Sequence, residues 1–446
     1  MKKNLFYLLF IFFVSFVYAE DDFTIEFLDF DPGNNKAEIS ISSILNMGGV
    51  YLGFDNSPKY LSWNTSNLGF IQKPMICLDT LFIPLSISQK KEFTDFSFYD
   101  QKLPQNPVID LKAKQKNGIY EIAFCHPFFD TTIGFLWERP LIGTLESSFN
   151  GIFARIKAKD KKTNNSIIFE STLSINIDSL FKLDIFRFGL GKRITPFLNL
   201  GWGLNFYQLL ASMNLKAEID AKASLNAGDL IFFNTEKANL NQSIDIQYQK
   251  TSCGFNLGGS LYNTKSGLEL DFSYNYIPIF DLKGDIISIS KIPKFLADKD
   301  LTNITKETLT DTVDSKSTFE NFLIFRMPSN FNLGFTHKNI FFTTGINFIK
   351  YFNPFSITYE KIDEKSENQS NVIFSANPNY SLKLGLDFKL IRFSAGFTNI
   401  EEKGKTISIP LASIICSFKI IPPLKINIEI IGIPGPVLKT GFVFAF

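Results

Sequence analysis

A period of two residues runs through most of this chain. From Ile194 the even positions read Ile194, Pro196, Leu198, Leu200, Trp202, Leu204 and Phe206, while the odd ones include Thr195, Asn199, Gly201, Gly203 and Asn205. Leu268, Leu270, Phe272, Tyr274 and Tyr276 alternate with Glu269, Asp271, Ser273 and Asn275. Leu382, Leu384, Leu386, Phe388 and Leu390 alternate with Lys383, Gly385, Asp387 and Lys389. Successive side chains of a strand point to opposite faces, so these are strands with one apolar and one polar face. Shorter copies recur at 119–124, 152–159, 172–177, 244–249, 254–262, 331–337, 342–352, 391–399, 426–430 and 441–446. Turn formers separate them, among them Asn164-Asn165, Pro328-Ser329-Asn330, Glu402-Lys403-Gly404 and Pro434-Gly435-Pro436.

A soluble sandwich also alternates, but its apolar faces meet in a core between two sheets. Here the strand patterns run about 9 to 12 residues, the length a tilted membrane strand needs. The polar phase is rich in Gly, Asn, Ser and charges of both signs, as a water-filled lumen would be. Short turns alternate with polar stretches at 292–318 and 361–371, which read as long loops. No apolar run past the N-terminus reaches the 18 residues of a membrane helix. The expectation is an all-β, transmembrane antiparallel barrel with two unlike rims. One stretch leaves two readings open. Leu209, Leu210, Met213, Ala217 and Ala221 suit a loop helix over 207–225, whereas Leu215, Ala217, Ile219, Ala221, Ala223 and Leu225 suit a continued strand pair.

The N-terminus reads as an export signal. Lys2 and Lys3 precede an apolar run, and Val17-Tyr18-Ala19 places small residues where a signal peptidase cuts, after Ala19. The expected compartment is the bacterial outer membrane. At the other end Phe442, Phe444 and Phe446 share one face of a last strand. That strand resembles the terminal signal by which barrel proteins are handed to the insertion machinery, the implied assembly partner alongside outer-membrane lipid. The net charge of +1 argues against a nucleic-acid partner. Only His126 and His337 exist, neither at ligand spacing from a cysteine or a second histidine, so no metal and no cofactor is expected. No nucleotide-binding or hydrolase motif occurs, and no enzyme is expected. Cys77, Cys125, Cys253 and Cys416 read as single small hydrophobes, with a disulfide left open.

Residues 37–70 stand apart from the alternation. Gly48-Gly49 and Gly53 permit tight turns, Asp55-Asn56-Ser57-Pro58 is turn chemistry, and Trp63 is a large anchor followed by Asn64. Both a plug and an ordinary first hairpin use such turns. In order, Met47, Gly48, Gly49, Tyr51, Asp55, Pro58, Trp63, Asn64 and Leu68 match a segment of the FadL-like outer-membrane transporters, which this stretch resembles, including their spirochaete and Bacteroidetes relatives. It departs from them at Thr65-Ser66-Asn67, where the family carries Pro-Ala-Gly, and at Phe54 and Lys59. The resemblance implies a fourteen-stranded barrel with an N-terminal hatch: a signal peptide at 1–19, a plug at 20–70 and the barrel at 71–446. It implies plug or lumen roles for Gly48, Gly49, Tyr51, Asp55, Pro58, Trp63 and Asn64. It also implies uptake of hydrophobic small molecules such as long-chain fatty acids. A general aqueous porin, or a surface barrel whose loops bind host or partner proteins, remains as an alternative.

Overall fold

The computed structural model describes residues 23–27 and 57–446, apart from 83–85, 93–96, 99–100, 103–107, 116–117, 160–165, 228–229, 264, 294–311, 364–365, 403–404, 422–423 and 434. The expected signal peptide, and with it the cleavage point, lies outside these residues.

Fourteen antiparallel strands close on themselves. They are β1 (Met75–Phe82 and Ser86–Glu92), β2 (Val108–Gln115 and Gly118–Phe128), β3 (Thr131–Lys159), β4 (Ser166–Thr195) and β5 (Leu198–Ala227). Next come β6 (Leu230–Asn263), β7 (Leu268–Tyr276 and Phe280–Pro293), β8 (Thr312–Arg326 and Ser329–Lys338) and β9 (Thr343–Phe352 and Phe355–Asp363). β10 (Ser366–Asp387), β11 (Ile391–Glu402), β12 (Lys405–Ile421), β13 (Leu424–Ile433) and β14 (Gly435–Ala445) complete the ring. Each strand pairs with the next in the chain, and β14 returns to β1 with Ala445 opposite Met75 and Leu438 opposite Phe82. Beyond the last residues of that seam, Phe446 N donates to Pro74 O at 3.0 Å. A short strand, Phe23–Phe27, pairs with Ala154–Ala158 of β3 beyond the reach of β2.

The two faces are inverted relative to a soluble protein. Along β5, Trp202 is 50% exposed and Leu200, Leu204 and Phe206 are also exposed, whereas Asn199 and Asn205 are buried. The same holds on β7, where Leu270 and Phe272 face out and Glu269, Asp271, Ser273 and Asn275 are buried. Apolar side chains in the outer position are stable only against hydrocarbon, so the barrel spans a membrane as an outer-membrane type. On β4 the outward row runs from Phe186 through Phe188 and Leu190 to Lys192 and Ile194 at the rim, close to the 9–11 residues a tilted spanning strand uses.

The rims are unequal. One carries tight turns at Phe129-Asp130, Pro196-Phe197 and Phe388–Leu390, together with the seam ends Pro74 and Phe446. At that rim Gly267 holds φ +66°, where a side chain is strained. From it β3 to β6 run 29 to 34 residues, about three times a membrane crossing, and continue far past the apolar belt. Sequence periodicity anticipated 9 to 12. The excess was hidden because strands in water on both sides need no strict apolar phase. For the same reason 207–225 is strand, with Leu215 opposite Ile177 and Ile244, and the helical reading is set aside.

Of the polar stretches expected as loops at 292–318 and 361–371, residues 294–311 and 364–365 lie outside the described residues, and the described flanks are hairpin arms. Ile292 pairs with Val313, Ser288 with Ser317 and Lys361 with Gln369. A ladder is made by the backbone, so segments rich in Ser, Thr and Lys can pair without a continuous apolar phase. All four cysteines are free thiols. His126 and His337 both sit in strands near the tight-turn rim, on β2 and β8.

The inversion sets a graded cost for charge on the outer face. Leu204→Arg, within the belt, is expected to lower folding free energy into phospholipid vesicles by about 2–4 kcal/mol, whereas Gln208→Arg, past its edge, costs about 0–1 kcal/mol. Denaturant titrations followed by tryptophan fluorescence read both. Equal costs would contradict the belt boundary.

Candidate functional site

Behind the ring, residues 57–71 cross the interior as two 3-10 turns, Pro58–Ser62 and Thr65–Phe70. Local chemistry sets both starts. Ser57 Oγ accepts from Lys59 N with Pro58 in the first turn position, and Asn64 Oδ1 accepts from Ser66 N. A 3-10 turn gains little stability by itself, so the walls hold this one.

Asn64 is the centre of the polar grip. Its Nδ2 donates to Gly259 O at 3.2 Å and to Asp271 Oδ1 at 3.1 Å, while its Oδ1 also accepts from Ser66 Oγ at 2.7 Å. Ser260 Oγ donates to Asn67 Oδ1 at 2.6 Å, Ser273 Oγ to Trp63 O at 2.6 Å, and Thr65 Oγ1 to Asn256 Oδ1. Across the barrel, Thr132 Oγ1 donates to Ile71 O at 3.1 Å. β3, β6 and β7 therefore hold one segment from different sides. Every one of these side chains is buried, where a donor or acceptor left unpaired costs about 1–3 kcal/mol.

Close approach completes the fit. Leu61 and Leu68 pack into a wall where β3, β4 and β5 carry glycine in the inward phase. A Cβ on Gly191 would come 2.6 Å from Leu68 Cβ and 2.7 Å from Gly69 N; one on Gly201 would overlap the backbone of Thr65 and Ser66. Toward β9, Tyr60 and Trp63 form an apolar cluster with Ile349 and Tyr351.

An ion cluster ties the segment to the seam. Lys59 Nζ lies 2.5 Å from Asp79 Oδ1 on β1, and Lys439 of β14 reaches Asp79 Oδ2 at 2.9 Å and Glu121 Oε2 of β2 at 3.6 Å. Burial lowers the Lys59 pKa, but Asp79 and then Glu121 outweigh it and hold the ammonium above its ordinary 10.5. A raised lysine contributes its stability below the unfolded pKa and loses it only as pH climbs above the folded one. Lys59 therefore keeps its charge through neutrality.

Farther from the tight-turn rim the lumen turns apolar. Leu183, Ile185, Tyr207, Leu209, Tyr248, Phe280, Leu282, Phe325, Met327, Phe355 and Ile400, from β4 through β9 and β11, form one buried cluster. Phe325 and Phe355 meet edge-on at 5.3 Å, and Phe280 lies 5.7 Å from Phe325. Between the layers Arg187 pairs with Glu138. A solute moving along the axis meets a polar clasp and then a layer of hydrocarbon.

Of the residues singled out from sequence, Pro58, Trp63 and Asn64 come together in this clasp, while Gly48, Gly49, Tyr51 and Asp55 lie outside the described residues. Phe442, Phe444 and Phe446 stand on the outer face of β14. Thr65, Ser66 and Asn67, which read as departures from the resembled segment, are buried and bonded. The wall glycines read from sequence only as lumen lining, not as a contact surface. Their signal was present: Gly189 and Gly191 on β4 and Gly201 and Gly203 on β5 fall in the polar phase and pair directly, Gly201 with Gly191 and Gly203 with Gly189.

No protein-family model and no curated relative matches this sequence. Among solved structures, the chain is similar to the Ralstonia pickettii toluene transporter TbuX (12% identity, TM-score 0.46, covering 89% of this chain and 95% of that one). It is also similar to the CymD monoaromatic hydrocarbon channel (13%, TM-score 0.48, 91% and 97%) and to a Pseudomonas aeruginosa FadL homologue (13%, TM-score 0.43, 90% and 95%). At these identities and TM-scores, the fold assignment rests on the strand pairing of this chain.

The glycine wall gives a direct test of the clasp. Gly201→Val places a branched side chain against Thr65 and Ser66 and is expected to unseat residues 57–71 while the barrel stays folded on heat-modifiability gels. Tryptic cleavage after Lys59 should then rise from slow to rapid. Unchanged protection at Lys59 in the folded variant would contradict the packing described.

Proposed function

We propose that this chain is an outer-membrane channel for uptake of hydrophobic small molecules, with residues 20–70 acting as a plug, of which 23–27 and 57–70 are described and 57–70 lie inside the barrel. The observation that carries this reading is the buried apolar layer spanning the lumen directly beyond the polar clasp. A general porin needs an open, charged, water-filled lumen, and aqueous solutes gain nothing from Phe280, Phe325 and Phe355 in their path. An apolar solute does, since its transfer from water to such a surface gains about 25 cal/mol per Å². Long-chain fatty acids are the cargo we propose within this class, on the resemblance of residues 47–68. The reaching of β3 to β6 well past the belt favours a second role at the cell surface, contact with partner proteins through those extensions.

Proteoliposomes decide the main reading. The intact chain is expected to accelerate transfer of oleate or toluene to an internal quencher at least several-fold over empty vesicles while leaving glucose retained. Equal acceleration of glucose would replace the reading with a general porin. Acceleration of neither class would remove transport.

We also propose that Phe446 and its row mates Phe442 and Phe444 are read by the insertion machinery. Aspartate at the interface costs only about 0–1 kcal/mol in a finished barrel, so a large loss from Phe446→Asp reports recognition and not stability. Folded barrel in the outer membrane is expected to fall sharply while export continues. Normal amounts of heat-modifiable protein would reduce Phe446 to an ordinary strand end.

A further inference from the structure

The outer wall carries a feature that transport does not use. On adjacent strands the apolar belt ends in one cross-strand row, Trp137 of β3 opposite Phe186 of β4 opposite Phe206 of β5. The next outward position on β4 and β5 is Asp184 opposite Gln208. At this level β3 is bulged, its register slipping between Glu138 and Leu141, and the bulge brings Arg139 to the outside beside Asp184. Arg139 Nε donates to Asp184 Oδ1 at 2.6 Å, and Lys182 Nζ lies 2.7 Å from Asp184 Oδ2. The guanidinium also sits 4.8 Å from the centre of the Trp137 ring.

These groups surround a concavity of about 480 Å³ in the barrel's exterior, floored by Ile122, Phe135, Trp137 and Phe186. Two cations share one carboxylate, leaving a charge of +1 at the lip of a hydrocarbon-lined hollow. Among the described residues Arg139 donates only through its Nε, and its two terminal amino groups carry no hydrogen bond. The next outward charges up the same two strands, Glu146 opposite Asp178, are acidic, so the positive pair at the end of the belt is bordered by negative charge.

We propose that this hollow seats an anionic bilayer lipid, with an acyl chain against Phe135, Trp137 and Phe186 and the headgroup phosphate on Arg139 and Lys182. Each half of the site explains a feature the other does not. Two long cations at a membrane edge could reach water alone by extending outward, but here Asp184 pins both over the hollow. An apolar hollow alone would take any acyl chain, but the fork of Arg139 selects a planar pair of phosphate oxygens. Asp184, with both oxygens committed, orients the cations without cancelling them.

The test uses the full-length barrel in phosphatidylcholine vesicles, in a Trp202→Phe background. Of the three tryptophans, Trp63 is shielded inside the barrel, so contact quenching by brominated lipid then reports Trp137. Brominated phosphatidylglycerol is expected to quench with an apparent affinity about fivefold above brominated phosphatidylcholine at equal mole fraction, the effect of one cation near an anionic lipid. The double variant Arg139→Gln/Lys182→Gln should bring the two lipids to equality, and Lys182→Arg should keep the preference. Inorganic phosphate should fail to compete, because the chain supplies part of the binding. In the unsubstituted site the preference should shrink as salt is raised, a readout that needs no variant to fold. Equal quenching by both lipids, a preference that survives the double variant or high salt, or displacement by inorganic phosphate would each overturn the proposal.

Discussion

Hydrocarbon offers the backbone no hydrogen-bond partners, and every other feature of this protein follows from how that constraint is met. A strand edge left open in lipid costs several kcal/mol per unpaired group, so the sheet has to close. Closure happens at one place, where Met75–Phe82 of the first barrel strand meets Leu438–Ala445 of the last. One cluster of buried charges sits at the same seam. Asp79 and Lys439 face each other across it, and Lys59 of the inner segment joins them. The contact that ties the ends of the ring together also tethers the segment within it.

Closing a fourteen-strand ring leaves an interior too wide for its own side chains to fill by chance, and two solutions share the space. Toward the tight-turn rim, glycines thin the wall of β3 to β6, and Leu61, Leu68 and the backbone of residues 64–67 occupy the room gained. Farther up, large apolar residues meet across the axis instead. Asn64 marks the boundary between these regimes on the polar side and Tyr207 on the apolar side. Because bonds from β3, β6 and β7 converge on one short segment, the clasp is rigid only as a whole. Losing one wall contact strains the others.

What could be read in the sequence was whatever lipid enforces. Leu200, Trp202, Leu204 and Phe206 have to alternate with Asn199, Gly201, Gly203 and Asn205, so strand identity and the inverted faces were visible before any coordinates. Beyond the belt that pressure ends, and Ser315 and Ser317 read as loop although they pair with Ser290 and Ser288. Within the clasp, Trp63 and Asn64 stood out by residue type. Thr65, Ser66 and Asn67 did not, because their partners Asn256 and Ser260 lie 191 to 194 positions away. The glycines of the wall were seen as lumen lining; their purpose needed the register that sets Gly201 beside Gly191. The apolar layer was invisible because Phe280, Phe325 and Phe355 look no different in sequence from the lipid-facing phenylalanines around them.

A clasp and an apolar layer acting in series shut a lumen to water and ions. Single-channel recording in planar bilayers tests it most directly. The account predicts that the intact barrel, folded by the heat-modifiability criterion, shows no steady ohmic conductance across moderate voltages. A stable conductance of porin size from the folded, unmodified chain would contradict it.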